Sequence, residues 1–254
     1  MFPGRRGHVT PPAMCTVRNG CSYMGGIAMH RNSQKRYIIK NAVYFITTNT
    51  HNRIEYFREN ILCDLLVEDL WETQRLKCFN IFAYKINPEH MHALIQPRGK
   101  DSYSEIMRSF KTNFSRNANR VMGFDANFEK LIISRQARSR DLACTDISRD
   151  LAYNDISRDL ACNDISRDLA CNGLSRAAAY VFRIAEYRRR FIAKYNFHPP
   201  FPKFKWQGSF HDHIIRDRKD FVHHLEYIRR QWLKHKLLEN KYCFINQALC
   251  AEAL

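Results

Sequence analysis

The sequence predicts an α+β fold in which helices cover one face of a small antiparallel sheet. Short segments are rich in β-branched and aromatic residues, which is typical of strands. Longer segments repeat apolar residues at helical spacing. Apart from one further helix at residues 177–195, the two kinds of segment follow one another as strand, helix, strand, strand, helix, strand, helix, an order typical of α+β domains.

The predicted elements follow from local patterns. An Asn87-Pro88 turn signal joins two strands into a hairpin. Ser102 and Glu105 have the spacing of a capping box, and Asn60 is a candidate N-cap for the preceding helix. The predicted strands span residues 36–50, 78–86 and 90–96, with a loop and strand in 203–215, and the helices span 61–77, 102–122, 177–195 and 217–239.

Two segments differ from this pattern. Residues 1–35 are rich in Gly, Pro, Arg and Asn and predict a flexible N-terminal tail. Residues 139–174 hold four copies of a nonapeptide that begins SRDLA, and we interpret this block as a solvent-exposed insertion. A stacked solenoid is the alternative for the block. One domain is therefore predicted over residues 36–245, with the repeat inserted in it.

The net charge of the chain indicates the class of partner that it binds. The chain of 254 residues has 41 Lys and Arg against 25 Asp and Glu, a net charge of +16. Four Arg and seven Asp give the repeat block −3, so the other 218 residues carry +19. Such an excess indicates a polyanionic partner, most commonly nucleic acid.

Other features of the sequence argue against membranes and secretion. The longest apolar runs fall far short of the roughly 18–20 residues that span a bilayer, and no secretory signal is recognisable. Nine irregularly spaced cysteines without a Cys-x-x-Cys pair predict free thiols. We therefore expect a cytoplasmic protein without a membrane partner.

Two motifs contain residues that can form a functional site. In the sequence NPEHMH, His90 and His92 are two apart on a predicted strand, so both point to one face and can chelate a divalent cation. Two solvated histidines are the alternative. In the helix HHLEYIRRQWLKH, Tyr227 and Gln231 are four apart and share one face. A core tyrosine is the alternative there.

These motifs, with Trp206-Gln207 and HDHIIRD between them, resemble the REP-associated tyrosine transposases. Those proteins are relatives of single-tyrosine insertion-sequence transposases in the HUH (His-hydrophobic-His) single-strand nuclease superfamily. The resemblance covers about residues 36–130 and 200–240 and implies a ferredoxin-like fold. The second His pair, His211 and His213, has Asp212 where the superfamily has an apolar residue, so it matches a strand near the site.

The resemblance also implies roles for individual residues. His90 and His92 match the HUH pair and would bind Mg²⁺ or Mn²⁺, and Tyr227 matches the nucleophile that forms a 5′-phosphotyrosine. Gln231 falls where an additional metal ligand is placed, although the family often has Asn-Pro where this chain has Gln231-Trp232. The implied substrate is single-stranded or hairpin DNA.

Basic residues predict the DNA contacts. Residues 176–241 carry a net charge of +10, and Tyr187, Phe191 and Tyr195 alternate with arginines, as if to stack on unpaired bases. The candidate DNA-binding residues are Lys111, Arg116, Arg183, Arg188, Arg189, Arg190, Lys194, Lys203, Lys205, Arg229 and Arg230.

The sequence thus predicts a metal-dependent transposase or nuclease that cleaves and rejoins single-stranded DNA beside hairpins through Tyr227. The alternative is a non-catalytic DNA- or RNA-binding regulator on the same scaffold. Because the two His, the Tyr and an amide ligand all occur together, the catalytic interpretation is favoured. A monomer and a homodimer both remain open.

Overall fold

The computed structural model describes residues 36–128, 130 and 176–253. The predicted N-terminal tail (1–35) and nonapeptide block (139–174) lie outside these residues. The strands are β1 (Tyr44–Asn49), β2 (Phe79–Asn87), β3 (His90–Pro97), β4 (His211–Ile214) and β5 (Cys243–Ile245). The α-helices are α1 (Asn60–Lys77), α2 (Tyr103–Met122), α3 (Arg176–Tyr195), α4 (Arg218–Lys234) and α5 (Gln247–Ala253), with 3₁₀ turns at His51–Arg53 and Tyr56–Arg58.

The five strands form one sheet in the order β4-β1-β3-β2-β5, and every neighbouring pair is antiparallel. The first six elements, β1-α1-β2-β3-α2-β4 once the intervening α3 is set aside, give the ferredoxin-like arrangement. The predicted α+β class with an antiparallel sheet is therefore confirmed. Among the described helices, none combines the length and apolarity needed to cross a bilayer.

The main core lies between one sheet face and the helices α1, α2 and α3. Alternate strand residues point to this face, for example Ile46 of β1 and Met91 of β3. They pack in one cluster with Leu62, Phe110 and Ile184 from the three helices. All are almost fully buried, and burying each such side chain contributes about 1.5–3 kcal/mol relative to exposure.

The opposite sheet face is also covered, which goes beyond the prediction of helices on one face. Phe221, Leu225 and Ile228 of α4 pack against Leu94 of β3 and its neighbours on β2. Helix α5 joins the same cluster through Cys250. This second layer places the helix that carries Tyr227 directly over the central strands.

Several element boundaries differ from the prediction for local reasons. The first strand begins only at Tyr44, because a turn at residues 40–41 with Asn41 at φ 59° interrupts the extended chain. Glu59, not Asn60, is the N-cap of α1, and its carboxylate accepts from the Ile61 amide at 3.0 Å. The predicted capping box of α2 is confirmed. Helix α4 ends at Lys234 since the chain turns to a positive φ of 51° at Lys236.

Two of the three aromatic residues of α3 that were predicted to stack on bases are buried and cannot do so. Tyr187 is 3 % and Phe191 is 2 % exposed, and both belong to the main core. The expectation that they contact bases is therefore wrong. Their four-residue spacing is the apolar stripe of a helix that packs on its neighbours.

Three of the six basic residues of α3 contact acidic residues of α1 and its N-cap. Arg183 lies 3.3 Å from Asp69, and Arg190 lies 3.2 Å from Asp64. Lys194 donates to the Glu59 carboxylate at 2.7 Å. Part of the basic charge that suggested phosphate contacts therefore holds α3 against α1.

Arg188 and Arg189 are adjacent but have different roles. Arg188 is buried and donates to the Val121 carbonyl at 3.1 Å, at the end of α2. Gly123, at φ 90°, ends that helix, and a Cβ there would lie 2.8 Å from the Arg188 guanidinium. Exposed Arg189 pairs with Glu186 on its own helix. The structure therefore assigns Arg188 to the core.

We expect Arg188→Ala to lower the free energy of unfolding by roughly 2–4 kcal/mol, because it leaves a buried helix terminus without its donor. Arg189→Ala is the matched control and should cost less than about 0.5 kcal/mol. Urea denaturation followed by circular dichroism measures both. Equal losses for the two variants would contradict this placement of Arg188.

The buried Asp69 makes stability depend on pH. Burial raises the pKa of its carboxyl to about 6, outweighing the opposing effects of Arg183 and of hydrogen bonds from Asn117. A raised carboxyl pKa gives stability that is complete below the unfolded value near 4 and is lost as the pH rises through about 6. Between pH 7 and pH 4, we expect the wild type to gain up to about 3 kcal/mol relative to Asp69→Asn, measured by urea denaturation at each pH. A difference that does not change with pH would refute this.

Candidate active site

The β2–β3 hairpin brings the two predicted histidines into place. Its turn consists of Pro88 and Glu89, so Asn87 pairs with His90 across it. The chain after β1 holds this turn, because the Thr50 amide donates to the Glu89 carbonyl at 2.9 Å and the Phe57 amide to the Pro88 carbonyl at 3.0 Å. The tight connection leaves His90 little freedom to move.

Strand register lines up polar side chains on the sheet face beneath α4. His90 lies opposite residues on both neighbouring strands, and so does His92 two positions later. Their cross-strand partners point to the same face. We call this set the polar floor; its members are Thr47, Asn49, Lys85, Asn87, His90 and His92. All except the partly buried Thr47 are buried.

The two imidazoles face each other through their Nε2 atoms, which are 3.0 Å apart. The Nδ1 of His90 lies 3.0 Å from a Glu89 carboxylate oxygen, and the Nδ1 of His92 lies 2.8 Å from the Thr47 hydroxyl. A carboxylate only accepts, so the Nδ1 of His90 donates and its Nε2 carries a lone pair. Histidines that bind metals usually donate their other ring N–H to such partners.

Burial keeps both imidazoles neutral. Burial and, to a smaller extent, the neighbouring His90 together lower the pKa of His92 to about 3. Burial also lowers the pKa of His90, against the opposing effect of the Glu89 carboxylate. Neutral imidazole is the form that binds a metal ion.

Helix α4 places Tyr227 and Gln231 above the polar floor. The Tyr227 ring stands edge-on to His92, with ring centroids 5.2 Å apart, and also contacts Phe45. Gln231 is 2 % exposed, and its amide nitrogen donates to the Tyr227 carbonyl at 3.3 Å. Its Oε1 is buried without a geometrically satisfactory hydrogen bond among the described residues. The structure therefore brings together His90, His92, Tyr227 and Gln231.

His235 is a member of this cluster that the sequence analysis missed. Its ring lies 4.9 Å from that of His90, and its Nε2 is buried without a hydrogen-bond partner among the described residues. Its position four residues after Gln231 was the available signal, because that spacing continues the face of Tyr227 and Gln231. Glu89, His90 and His235 also have potential ligand atoms within 4.8 Å of one another.

The donor set fits a divalent cation. Ligands on adjacent corners of an octahedron with bonds of about 2.1 Å lie about 3.0 Å apart, the separation of the two Nε2 atoms. Buried atoms without satisfactory partners surround them, namely Gln231 Oε1, His235 Nε2 and Asn87 Oδ1. Mixed imidazole and amide ligands suit Mn²⁺ better than Mg²⁺, which prefers oxygen.

Lys234 lies beside the tyrosine on the exposed side. Its Nζ is 3.5 Å from the Tyr227 hydroxyl and 5.6 Å from the centre of its ring. The two residues are seven apart on α4, so they share one face. A positive charge at this point stabilises negative charge on the phenolic oxygen or on a nearby phosphate.

The segment 203–207 runs past the edge of the polar floor. The Gln207 amide donates to the Asn49 carbonyl at 2.9 Å, and the Asn49 side chain donates to the Gln207 side chain at 3.1 Å. Lys111 donates to the Gln207 and Ser209 carbonyls at 2.8 and 3.2 Å. Lys203 and Lys205 are exposed on this segment. Lys111 therefore anchors the segment, whereas the side chains of the other two lysines face solvent.

The remaining predicted DNA-binding residues fall into two groups. Arg183, Arg188, Arg190 and Lys194 bind other parts of the fold, as described above. The exposed group consists of Arg116, Arg189, Arg229 and Arg230. Arg116 donates to Asn113, and Arg229 and Arg230 contact Glu226 on their own helix. The exposed group retains the predicted role as a hypothesis.

Comparison with known proteins is consistent with this geometry. Residues 38–127 match the model of the family described as "Transposase IS200 like". The REP-associated tyrosine transposase of Escherichia coli (strain K12) is 33 % identical over 85 residues, 32 % of this chain and 49 % of that protein. This match spans about half the length of the E. coli protein. The predicted resemblance to this family is confirmed.

Two solved structures are also similar. One is a REP-associated tyrosine transposase bound to a REP hairpin, with a TM-score of 0.47, 18 % identity and 88 % coverage of each chain. The other is a putative transposase from Deinococcus radiodurans R1, with a TM-score of 0.35, 10 % identity and coverage of 78 % of this chain and 97 % of that one. The family match includes His90 and His92 but ends before Tyr227.

Proposed function

We propose that this protein is a metal-dependent transposase or nuclease that cleaves and rejoins single-stranded DNA beside hairpins through Tyr227. The observation that carries the proposal is the placement of Tyr227, 5.2 Å from the ring of His92, over two imidazoles whose Nε2 atoms are 3.0 Å apart. A nucleophile and a set of metal ligands thus share one surface.

Each group has a defined part in the proposed reaction. A divalent cation bound by His90, His92 and Gln231 would neutralise charge that builds on a non-bridging phosphate oxygen. The Tyr227 oxygen attacks phosphorus, so a phosphotyrosine bond forms and the bond to the 3′ oxygen breaks. The phenolic proton passes to water, and the leaving 3′ oxygen takes up a proton from water. Rejoining is the reverse attack by a 3′-hydroxyl.

The protein environment favours this step. Glu89 and Thr47 fix the ring orientations of His90 and His92, so their Nε2 atoms are held in position before a substrate arrives. Lys234 lies within reach of the oxygen that becomes negative when the phenolic proton leaves. Pre-positioned groups of this kind lower the barrier because no reorganisation is needed during the reaction.

The test uses the full chain and a labelled DNA hairpin with single-stranded flanks. With Mn²⁺, a covalent protein–DNA band should form that survives denaturing electrophoresis and disappears with EDTA. Tight binding without an adduct, over a broad set of hairpins, would refute the catalytic proposal and support the regulator.

The lysines of the segment 203–207 are expected to contact phosphates. Replacing Lys203 and Lys205 by Ala should weaken hairpin binding about tenfold and reduce the slope of log K against log salt by about 1.4 for two lost single-strand contacts. Fluorescence anisotropy at several salt concentrations measures both quantities.

The matched control for these lysines carries Lys40→Ala and Lys100→Ala. Both residues are exposed at the opposite end of the sheet, near the Gln96–Asn41 contact. This control removes the same charge but should leave the salt slope within error of the wild type. Equal slopes for the two double variants would contradict the placement of the DNA beside the segment 203–207.

A further inference from the structure

A second cluster of metal-binding side chains lies between β4 and α4. The Nε2 of His213 is 2.8 Å from one carboxylate oxygen of Asp220, and the Nδ1 of His224 is 3.0 Å from the other. Each of the three residues offers one ligand atom, and these atoms all lie within 4.8 Å of one another. The His213 and His224 rings stack with centroids 4.6 Å apart.

This cluster is distinct from the polar floor. The Phe45 ring lies between them, 4.6 Å from the ring of His224 and 5.3 Å from that of His92. No residue is common to the two sets. An ion in one site therefore does not require an ion in the other.

The cluster is partly open to solvent. The side chains of His213, Asp220 and His224 are 37 %, 19 % and 15 % exposed. Water can therefore reach the site and complete a coordination shell. The Asp220 carboxylate also accepts from the Arg216 amide at 3.1 Å, which fixes its orientation. Three side chains and one open position are the usual arrangement of an accessible zinc site.

We propose that His213, Asp220 and His224 bind one transition-metal ion of the Zn²⁺ type, which links the edge strand β4 to α4. Two imidazoles and one carboxylate form a ligand set that zinc accepts readily. The ion would be bound by the two ring nitrogens that now face the carboxylate, and each imidazole would carry its proton on the other ring nitrogen. His224 would also give up its contact with the Asp220 carbonyl, now 2.9 Å.

The position of the cluster gives the ion a defined role. Asp220 and His224 are four apart and share a helix face, while His213 comes from the neighbouring strand. His224 lies less than one turn before Tyr227. The ion would therefore fix the helix segment that carries the tyrosine against the sheet. This proposal does not depend on the chemistry of Tyr227.

The experiment uses the full untagged chain, stripped with EDTA and dialysed. Zn²⁺ is titrated by isothermal calorimetry, and the melting temperature is measured with and without Zn²⁺. Both measurements are made on the His90→Ala, His92→Ala double variant, which lacks the main ligand pair and serves as the background for further substitutions. We expect this background to retain one site and to melt at least about 5 °C higher with saturating Zn²⁺.

Further substitutions in that background locate the ion. His213→Gln keeps a hydrogen-bond donor for Asp220, and Asp220→Asn keeps the shape of the side chain. Each should abolish the site and the shift in melting temperature. The control is His223→Ala, since His223 is exposed next to the cluster and should have no effect.

Three results would overturn the proposal. They are unchanged Zn²⁺ binding in His213→Gln and Asp220→Asn, an equal loss in His223→Ala, or no zinc site in the background. The melting temperatures without Zn²⁺ show whether a variant has lost its fold, and a circular dichroism spectrum checks this independently. If both conservative variants unfold, His224→Gln replaces them under the same criteria.

Discussion

Replacing Tyr227 by Phe is expected to abolish the covalent protein–DNA adduct and to reduce cleavage by at least about 10³-fold. The substitution removes only the phenolic oxygen, and the ring keeps its contacts with His92 and Phe45. Hairpin affinity should therefore stay within about twofold of the wild type. Denaturing electrophoresis measures the adduct, and fluorescence anisotropy measures binding.

Tyr37→Phe is the matched control, because Tyr37 is 66 % exposed, lies before β1 and is not part of the proposed site. It should form the adduct at the wild-type rate. An adduct of normal yield in Tyr227→Phe would show that another residue is the nucleophile. Loss of binding together with loss of the adduct would instead assign Tyr227 to DNA recognition.

Removal of the His92 imidazole is expected to have the second largest effect. His92→Ala should lower cleavage at 1 mM Mn²⁺ by about 10²-fold or more, since it deletes one of two adjacent ligands and leaves the Thr47 hydroxyl without its partner. Part of the loss should be recovered at higher Mn²⁺, because the remaining ligands bind the ion more weakly. A titration of the initial cleavage rate against Mn²⁺ measures this shift.

His211→Ala is the control for His92, since His211 is an exposed histidine on the neighbouring sheet edge. It should leave the Mn²⁺ dependence unchanged. A rate for His92→Ala that is low at every Mn²⁺ concentration would indicate a role other than metal binding. A wild-type rate would remove His92 from the proposed site.

Local patterns predicted the elements that position the site. The turn signal at Asn87-Pro88 and the two-residue spacing of His90 and His92 were enough to place both rings on one strand face. The capping box at Ser102 was correct for a similar reason, because its contacts are local. The four-residue spacing of Tyr227 and Gln231 likewise predicted their shared face.

The features that could not be predicted from the sequence depend on contacts between residues that are distant in the chain. Thr47 is the partner of His92 only through the β1–β3 register, which no local pattern contains. The acidic residues of α1 that bind the arginines of α3 are more than 100 positions away, so the arginines looked like a free basic surface. Strand β5 has three residues, too few for any periodicity.

The short edge strand β4 has a consequence for how the molecule opens. It has only four residues and, among the described strands, pairs with β1 alone, while α4 follows it directly. Such a unit is a candidate for opening on its own before the central strands separate. Native-state hydrogen exchange should then show amides of β4 and α4 exchanging through a smaller opening than those of β3. In that partly open form the histidine pair would persist without its tyrosine, so DNA cleavage would report on the complete fold.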